Sequence, residues 1–313
     1  MSHNRLPHIV AAADWSTHPR KRRLAVARLE GARYTVEATG AVEDGLIERL
    51  GRMAGPAGTA LVGFDFPIGL PFSYARRQGL TTFRLALPLF GCPGDWQSFY
   101  EVSDSPASRR PFFPRTCRVG TGARQRHAEA LGESEFASLL RRCDRRTARR
   151  QAAGALFFTL GPRQVGRAAI HGWRHVLAPS LDQIRLWPFD GELADLVAEP
   201  GLVVAEIYPA EAYTHLGITF GFGKGKGKTD RSARRTAARA WIARSAEMPI
   251  KFSTKLRCQM AEGCESDDDF DAVAGLLSML LVVTGSVSAT APTTAEVRTI
   301  EGWILGQPVE EQM

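Results

Sequence analysis

Cysteine is scarce in this chain, with five among 313 residues. Cys92, Cys117, Cys143, Cys258 and Cys264 are an odd set with no CxxC spacing and no histidines at zinc-finger distance. That argues against a disulfide framework or a zinc ribbon, and the expectation is reduced thiols in a cytoplasmic protein. Long apolar runs are also missing. The longest, Ala272–Val283, falls short of the roughly 18–20 residues a membrane span needs. The first, Ile9–Ala13, is too short for a signal-peptide core, so neither membrane insertion nor export is expected. There is no GxSxG, and no Cys/His pairing that would suggest a covalent nucleophile. FGKGKGKT at 222–229 imitates a phosphate loop, but Phe222 stands where the first glycine belongs, so it reads as a flexible lysine loop near a phosphate substrate. His171 and His175 are four apart but have no evident third ligand for zinc.

What is present is an ordinary globular balance, 44% hydrophobic and 23% charged. The 40 basic residues exceed the 33 acidic ones by seven, and many arginines are clustered. The length suits two domains or one domain with a large insertion. Residues 8–13 form an apolar run ending at Asp14. Strands are predicted over 22–29 and 33–40 around a Glu30-Gly31 turn, and a helix over 42–53. Ala60–Phe66 is apolar on both parities, as a central parallel strand should be. Residues 88–122 show no steady period and read as irregular, while 133–152 read as an arginine-rich helix. A buried strand returns at 202–208, followed by helices over 230–246 and 268–283. The expected fold class is therefore α/β, a mixed sheet flanked by helices.

Several acids make poor core residues. Asp14 follows a strand end, where α/β proteins often put functional groups. Asp65 and Glu206 lie in apolar strands, where an unpaired carboxylate costs several kcal/mol and needs a salt bridge or a metal. Ser266 is a good helix N-cap, so Asp267, Asp268 and Asp269 are explained as first-turn acids. Asp271 is not, because it lies past the first turn of an all-apolar helix. Asp268 and Asp271 are three apart and share a face. Acids from separate elements are what Mg²⁺ or Mn²⁺ would need as ligands, with two ions serving phosphodiester cleavage.

These residues carry a resemblance. Ala12-Ala13-Asp14, Gly63–Pro71 (GFDFPIGLP), Ala205–Pro209 (AEIYP), Asp268–Val273 (DDFDAV) and Glu301–Ile304 (EGWI) resemble the DUF429 family, in the expected order and over nearly the whole chain. The acid pattern also resembles RuvC-like Holliday junction resolvases, with an Asp on the first strand, an acid on the fourth and Asp-x-x-Asp-Ala on the last helix. The resemblance implies an RNase H-like core over 1–71 and 200–306, a partly helical insertion over 72–199 and a tail over 307–313. It implies that Asp14, Asp65, Asp268 and Asp271 hold metal, with Asp14, Asp65, Glu206 and Asp271 catalytic and Glu206 an extra ligand or general base. The chain departs from the resolvases at Asp14-Trp15-Ser16-Thr17, where they carry Asp-x-Gly-Ser, and in having Asp rather than Glu on the fourth strand.

A nucleic-acid partner is expected from two arginine stripes, Arg141, Arg142, Arg145, Arg146, Arg149 and Arg150, then Arg231, Arg234, Arg235 and Arg239. The bland alternative is a pair of solvated helix faces. Arg109–Arg115 (RRPFFPR) interleaves aromatics with base, as single-strand binders do, but a packed loop explains it equally. The resulting expectation is an enzyme, a Mg²⁺- or Mn²⁺-dependent nuclease acting on DNA or RNA. Two rivals stay open: a non-catalytic nucleic-acid-binding protein, and a phosphohydrolase or phosphotransferase acting on a nucleotide or small molecule. No membrane partner is expected, and a homodimer is left open.

Overall fold

Every residue of Thr59–Phe64 is buried, and so is the run Ile9–Ala13 that pairs with it. A computed structural model describes residues 5–116, 120–160, 165–221, 226–245 and 248–309. In it these two segments are strands β1 (Ile9–Asp14) and β5 (Thr59–Phe64), parallel neighbours at the centre of the sheet. Between them come β2 (Arg23–Glu30), β3 (Arg33–Val36), β4 (Gly40–Ala41) and helix α1 (Leu46–Ala54). The β2–β3 hairpin turns at Gly31, whose φ of 62° a side-chain-bearing residue adopts only with strain. Beyond β5 lie α2 (Phe72–Arg77), α3 (Phe83–Ala86), α4 (Ala123–Ala130), α5 (Val165–Gly172), β6 (Ile184–Leu186) and α6 (Leu193–Ala198). The chain ends with β7 (Gly201–Glu206), α7 (Pro209–Leu216), α8 (Arg231–Arg244), β8 (Ile250–Phe252), α9 (Thr254–Ala261) and α10 (Asp267–Val283).

The strands form one mixed eight-stranded sheet in the order β6-β7-β5-β1-β2-β3-β8, with β4 pairing β2. β1, β2 and β3 run antiparallel in turn, whereas β5, β7 and β6 are mutually parallel and share the direction of β1. Side chains alternate across the sheet. Ile9, Ala11, Ala13, Val62, Phe64 and Val204 face one core together with α1 and aromatics such as Phe99, Phe157 and Trp173. Val10, Ala12, Leu61, Val203 and Ala205 face the other, under residues of α7 to α10.

Residues 72–199 therefore contribute an edge strand and much of one core to the same sheet. The continuous helix expected over 133–152 does not form. That stretch contains two short 3-10 turns, Phe136–Leu139 and Arg142–Asp144. The Asp144 carboxylate accepts from the Arg141 backbone N–H at 3.1 Å, a local bond that competes with helical pairing. Arg141 and Arg150 also turn inward to buried acids. Of the lysine-rich run, residues 222–225 lie outside the described set, as does Cys117.

Candidate metal centre

Register decides which acids meet. Ala13 pairs with Phe64 on adjacent parallel strands, so Asp14 and Asp65, the next residue on each, point to one face. That is the face covered by α10. The sheet is narrow in side chains there. A Cβ on Gly63 would come within 2.6 Å of the Ile207 and Met279 side chains, and one on Gly275 within 2.9 Å of Ile207 and 3.4 Å of Ala12. These absent side chains let α10 lie close on β1 and β5. Ser266 caps the helix, accepting from the Asp269 N–H at 3.0 Å while the Asp269 carboxylate accepts from the Ser266 N–H at 3.2 Å, a reciprocal capping box. Asp269 is further held by Arg23 at 3.0 Å. Two residues on, Asp271 is 6% exposed and faces the strand ends.

Asp14 shares a hydrogen bond with Asp65 and is repelled by Asp65, Asp271 and Asp268. Burial first, then this repulsion, pushes its carboxyl far above the ordinary range. Burial likewise raises Asp65, to about 7, even though its Oδ1 accepts from the Trp15 N–H at 2.6 Å. Asp268 and Asp271 are also raised, chiefly by burial. Asp271 accepts from the Tyr213 hydroxyl and pairs with the Lys228 ammonium. Burial alone would lower Lys228, but Asp271 holds it protonated. Asp14 and Asp65 thus share a hydrogen bond at the ends of β1 and β5, Asp268 and Asp271 on α10 are near enough to repel Asp14, and Lys228 and Lys21 act on the α10 acids as counter-charges. A set so short of positive charge has the donor chemistry of a hard divalent cation.

Glu206 does not join them. It pairs with Phe64 in the register and therefore projects from the opposite face. There Arg141 grips it at 2.6 and 2.7 Å and also binds Asp144 at 2.8 and 3.0 Å, while the Ile68 N–H donates to Glu206 at 2.6 Å. The expected grouping of Glu206 with the aspartates is corrected accordingly, and the reason is strand parity. Cys143, Asp144 and Glu206 do bring one potential ligand atom each within 4.8 Å of one another, a spacing that could hold a metal ion. The fully buried Arg141 is already paired with both carboxylates, burial raises Glu206 against the pull of Arg141, and burial keeps the Cys143 thiol protonated. Physically this second group is a buried ion-pair clamp. It anchors the loop after Asp65, together with Trp173, which donates to the Pro67 carbonyl at 2.7 Å, and Leu70, whose N–H donates to Ile300 at 2.8 Å.

The arginines divide in the same way. Arg141 is fully buried; Arg150 binds Glu211 at 2.8 Å; Arg234 donates to the Gly263 carbonyl at 2.8 Å. Those three are internal, so neither expected stripe is continuous at the surface. Arg145, Arg146, Arg149, Arg231, Arg235 and Arg239 are exposed. Arg142, Arg145 and Arg146 line a cavity of about 420 Å³ with Thr293, Thr294 and Trp303. Sequence reasoning missed Tyr213 and Lys228, which bind Asp271 from segments far away in the chain. No helix among the described residues is long and apolar enough to cross a membrane.

Residues 13–296 match the family described as Protein of unknown function (DUF429), and the chain belongs to that family. No curated protein and no solved structure gives a match.

Proposed function

We propose that this member of the DUF429 family is a divalent-metal-dependent nuclease on an RNase H-like fold. The fold reading is supported by the sheet, in which an antiparallel β1–β2–β3 meander sits on one side of the first strand and parallel β5 and β7 sit on the other. The functional reading is carried by one observation. Asp14, Asp65, Asp268 and Asp271 lie near one another although burial, with some repulsion from a neighbouring carboxylate, raises the proton affinity of each. Nothing in core packing requires such a set, and perturbed acids gathered at strand ends are a mark of function.

In this reading Asp14, Asp65, Asp268 and Asp271 would hold Mg²⁺ or Mn²⁺. Bound there, the ions would supply an activated water and neutralise charge during in-line phosphodiester cleavage. Tyr213 orients Asp271, and the Trp15 N–H fixes one oxygen of Asp65. The Glu206–Arg141 clamp positions the Asp65 loop from behind the sheet. The exposed arginines Arg145, Arg146, Arg149, Arg231 and Arg235, with Arg142 at the cavity edge, would contact backbone phosphates.

The test is Mn²⁺- or Mg²⁺-dependent cleavage of single-stranded, duplex and branched DNA and of RNA, with Asp14→Asn and Asp271→Asn as controls. Cleavage by the native protein that both variants lose is the expected result. Binding without cleavage, unaltered in the variants, would instead indicate a non-catalytic nucleic-acid-binding protein. Nucleotide turnover without nucleic-acid affinity would indicate a phosphohydrolase or phosphotransferase.

A further inference from the structure

The cavity beside Trp303 is walled by residues that the carboxylate cluster does not use. Its volume of about 420 Å³ lies within the roughly 300–1,000 Å³ typical of small-ligand sites. Three stretches distant in the chain meet there. One is the turn that carries Arg142, Arg145 and Arg146, another is the loop at Thr293 and Thr294, and the third runs from Trp303 to Val309.

The charge on these walls is of one sign. Among the described residues no carboxylate lines the cavity, and no ion pair engages Arg142, Arg145 or Arg146. The nearby acids are occupied elsewhere. Arg141 takes Asp144, and Glu301 accepts from the backbone N–H groups of Phe72 and Arg142, at 3.3 and 3.2 Å. The Arg142 guanidinium instead donates to a neutral group, the Thr294 hydroxyl, at 3.1 Å. Arg141 and Arg150, in the same stretch, each bind a buried acid. Gathering three uncompensated guanidinium groups on one concave surface costs Coulomb energy that an anion would return.

The hydroxyls agree with the charge. Thr147 Oγ1 accepts from the N–H groups of Arg149 and Arg150, both at 3.2 Å, so both its acceptor positions are filled. Thr294 Oγ1 has one position filled by Arg142. What these two half-buried groups have left to offer is chiefly a proton. The Trp303 indole N–H is already used, donating to the Gln307 carbonyl at 3.0 Å, which leaves its ring as an apolar wall.

We propose that this cavity is a binding site for a phosphate group, held by Arg142, Arg145 and Arg146 with the Thr147 and Thr294 hydroxyls as further donors. A phosphate group has three or more acceptor oxygens and matches the planar guanidinium fork. A phosphomonoester carries nearly two charges at neutral pH, against the two oxygens and single charge of a monocarboxylate. The site stands apart from the nuclease reading, because it needs neither the aspartates nor a metal ion.

The test is calorimetric titration of the full chain with inorganic phosphate in EDTA, with acetate as the monocarboxylate comparison. Saturable phosphate binding, far tighter than that of acetate, is the expected result. It should weaken about tenfold in Arg142→Met and in Arg146→Ala. Thr294→Val, which removes the hydroxyl that holds Arg142, should weaken it about threefold, and Thr294→Ser should restore it. Arg257→Ala removes an exposed charge on α9 and should leave binding as it is. No saturable binding, acetate binding as tightly as phosphate, or equal losses in Arg146→Ala and Arg257→Ala would overturn the site. Should Arg142→Met fail to fold, Arg146→Ala and Thr294→Val decide. Phenyl phosphate binding more tightly than a short oligonucleotide assigns the site to a small phosphomonoester, and the reverse order assigns it to a nucleic-acid strand. Phosphate binding in a protein that cleaves no nucleic acid would leave the site standing and remove the nuclease reading. Cleavage without metal-free phosphate binding would do the reverse.

Discussion

Asp14 has burial and three like charges acting on it in the same direction. Replacing this carboxyl, which must take up a proton on folding, should therefore stabilise the metal-free protein, by roughly 1–3 kcal/mol for Asp14→Asn at neutral pH. The same variant should lose the rise in melting temperature that Mn²⁺ gives the native chain, and scanning calorimetry with and without the ion checks both. The pH dependence has a definite sign. An acid whose folded value is raised binds more protons when folded than when unfolded, so stability falls as pH rises between the two values. For Asp65 that window runs from the ordinary 3.8 to about 7. The metal-free native chain should lose stability over that range, with a shallower slope in Asp14→Asn. An equal slope in the two proteins would contradict the coupling of the acids. Lys228 occupies the cluster as its counter-charge. Lys228→Met should free Asp271 and tighten Mn²⁺ binding about fivefold in a titration.

Among the elements, α10 matters most, and much of it was legible. Ser266, the acid triplet and the apolar run predict a helix over 268–283, and Asp267–Val283 is helical. The strands at β1, β5 and β7 also agree with their predicted segments, because an all-apolar run of this length suits only a covered strand. Less legible was how closely α10 approaches the sheet. Gly63→Ala would drive a Cβ into Ile207 and Met279, and should cost about 1–3 kcal/mol. It should also weaken Mn²⁺ binding by moving Asp271 away from Asp14. The arginine-rich stretch failed as a helix because its guanidinium groups had destinations that no local pattern reveals. Arg141→Met leaves Glu206 and Asp144 buried without their cation, and a loss of about 3–5 kcal/mol in urea denaturation is expected. An unchanged midpoint would mean that the clamp does not hold the fold.

Over the whole molecule, the net charge of +7 is a poor guide to where a polyanion would bind, because several arginines are spent inside. Only the exposed ones can release counterions from nucleic acid. Replacing Arg145, Arg146 and Arg149 with alanine should lower the log–log salt slope of binding by about 0.7–0.9 for each phosphate that is no longer neutralised. Arg141 cannot be scored this way, since its loss acts through stability.

By itself the sequence determined most of the element types, the central position of β5, and the suspicion attached to Asp14, Asp65 and Asp271. Each of these follows from local patterning or from the cost of placing a carboxylate in an apolar segment. Tertiary structure decided the partnerships. Strand parity sent Glu206 to the far face and into the hands of Arg141, and chain crossing brought Tyr213 and Lys228 to Asp271. A sequence records that a buried charge must be answered. Which distant residue answers it depends on register and helix approach, and those exist only once the sheet has formed.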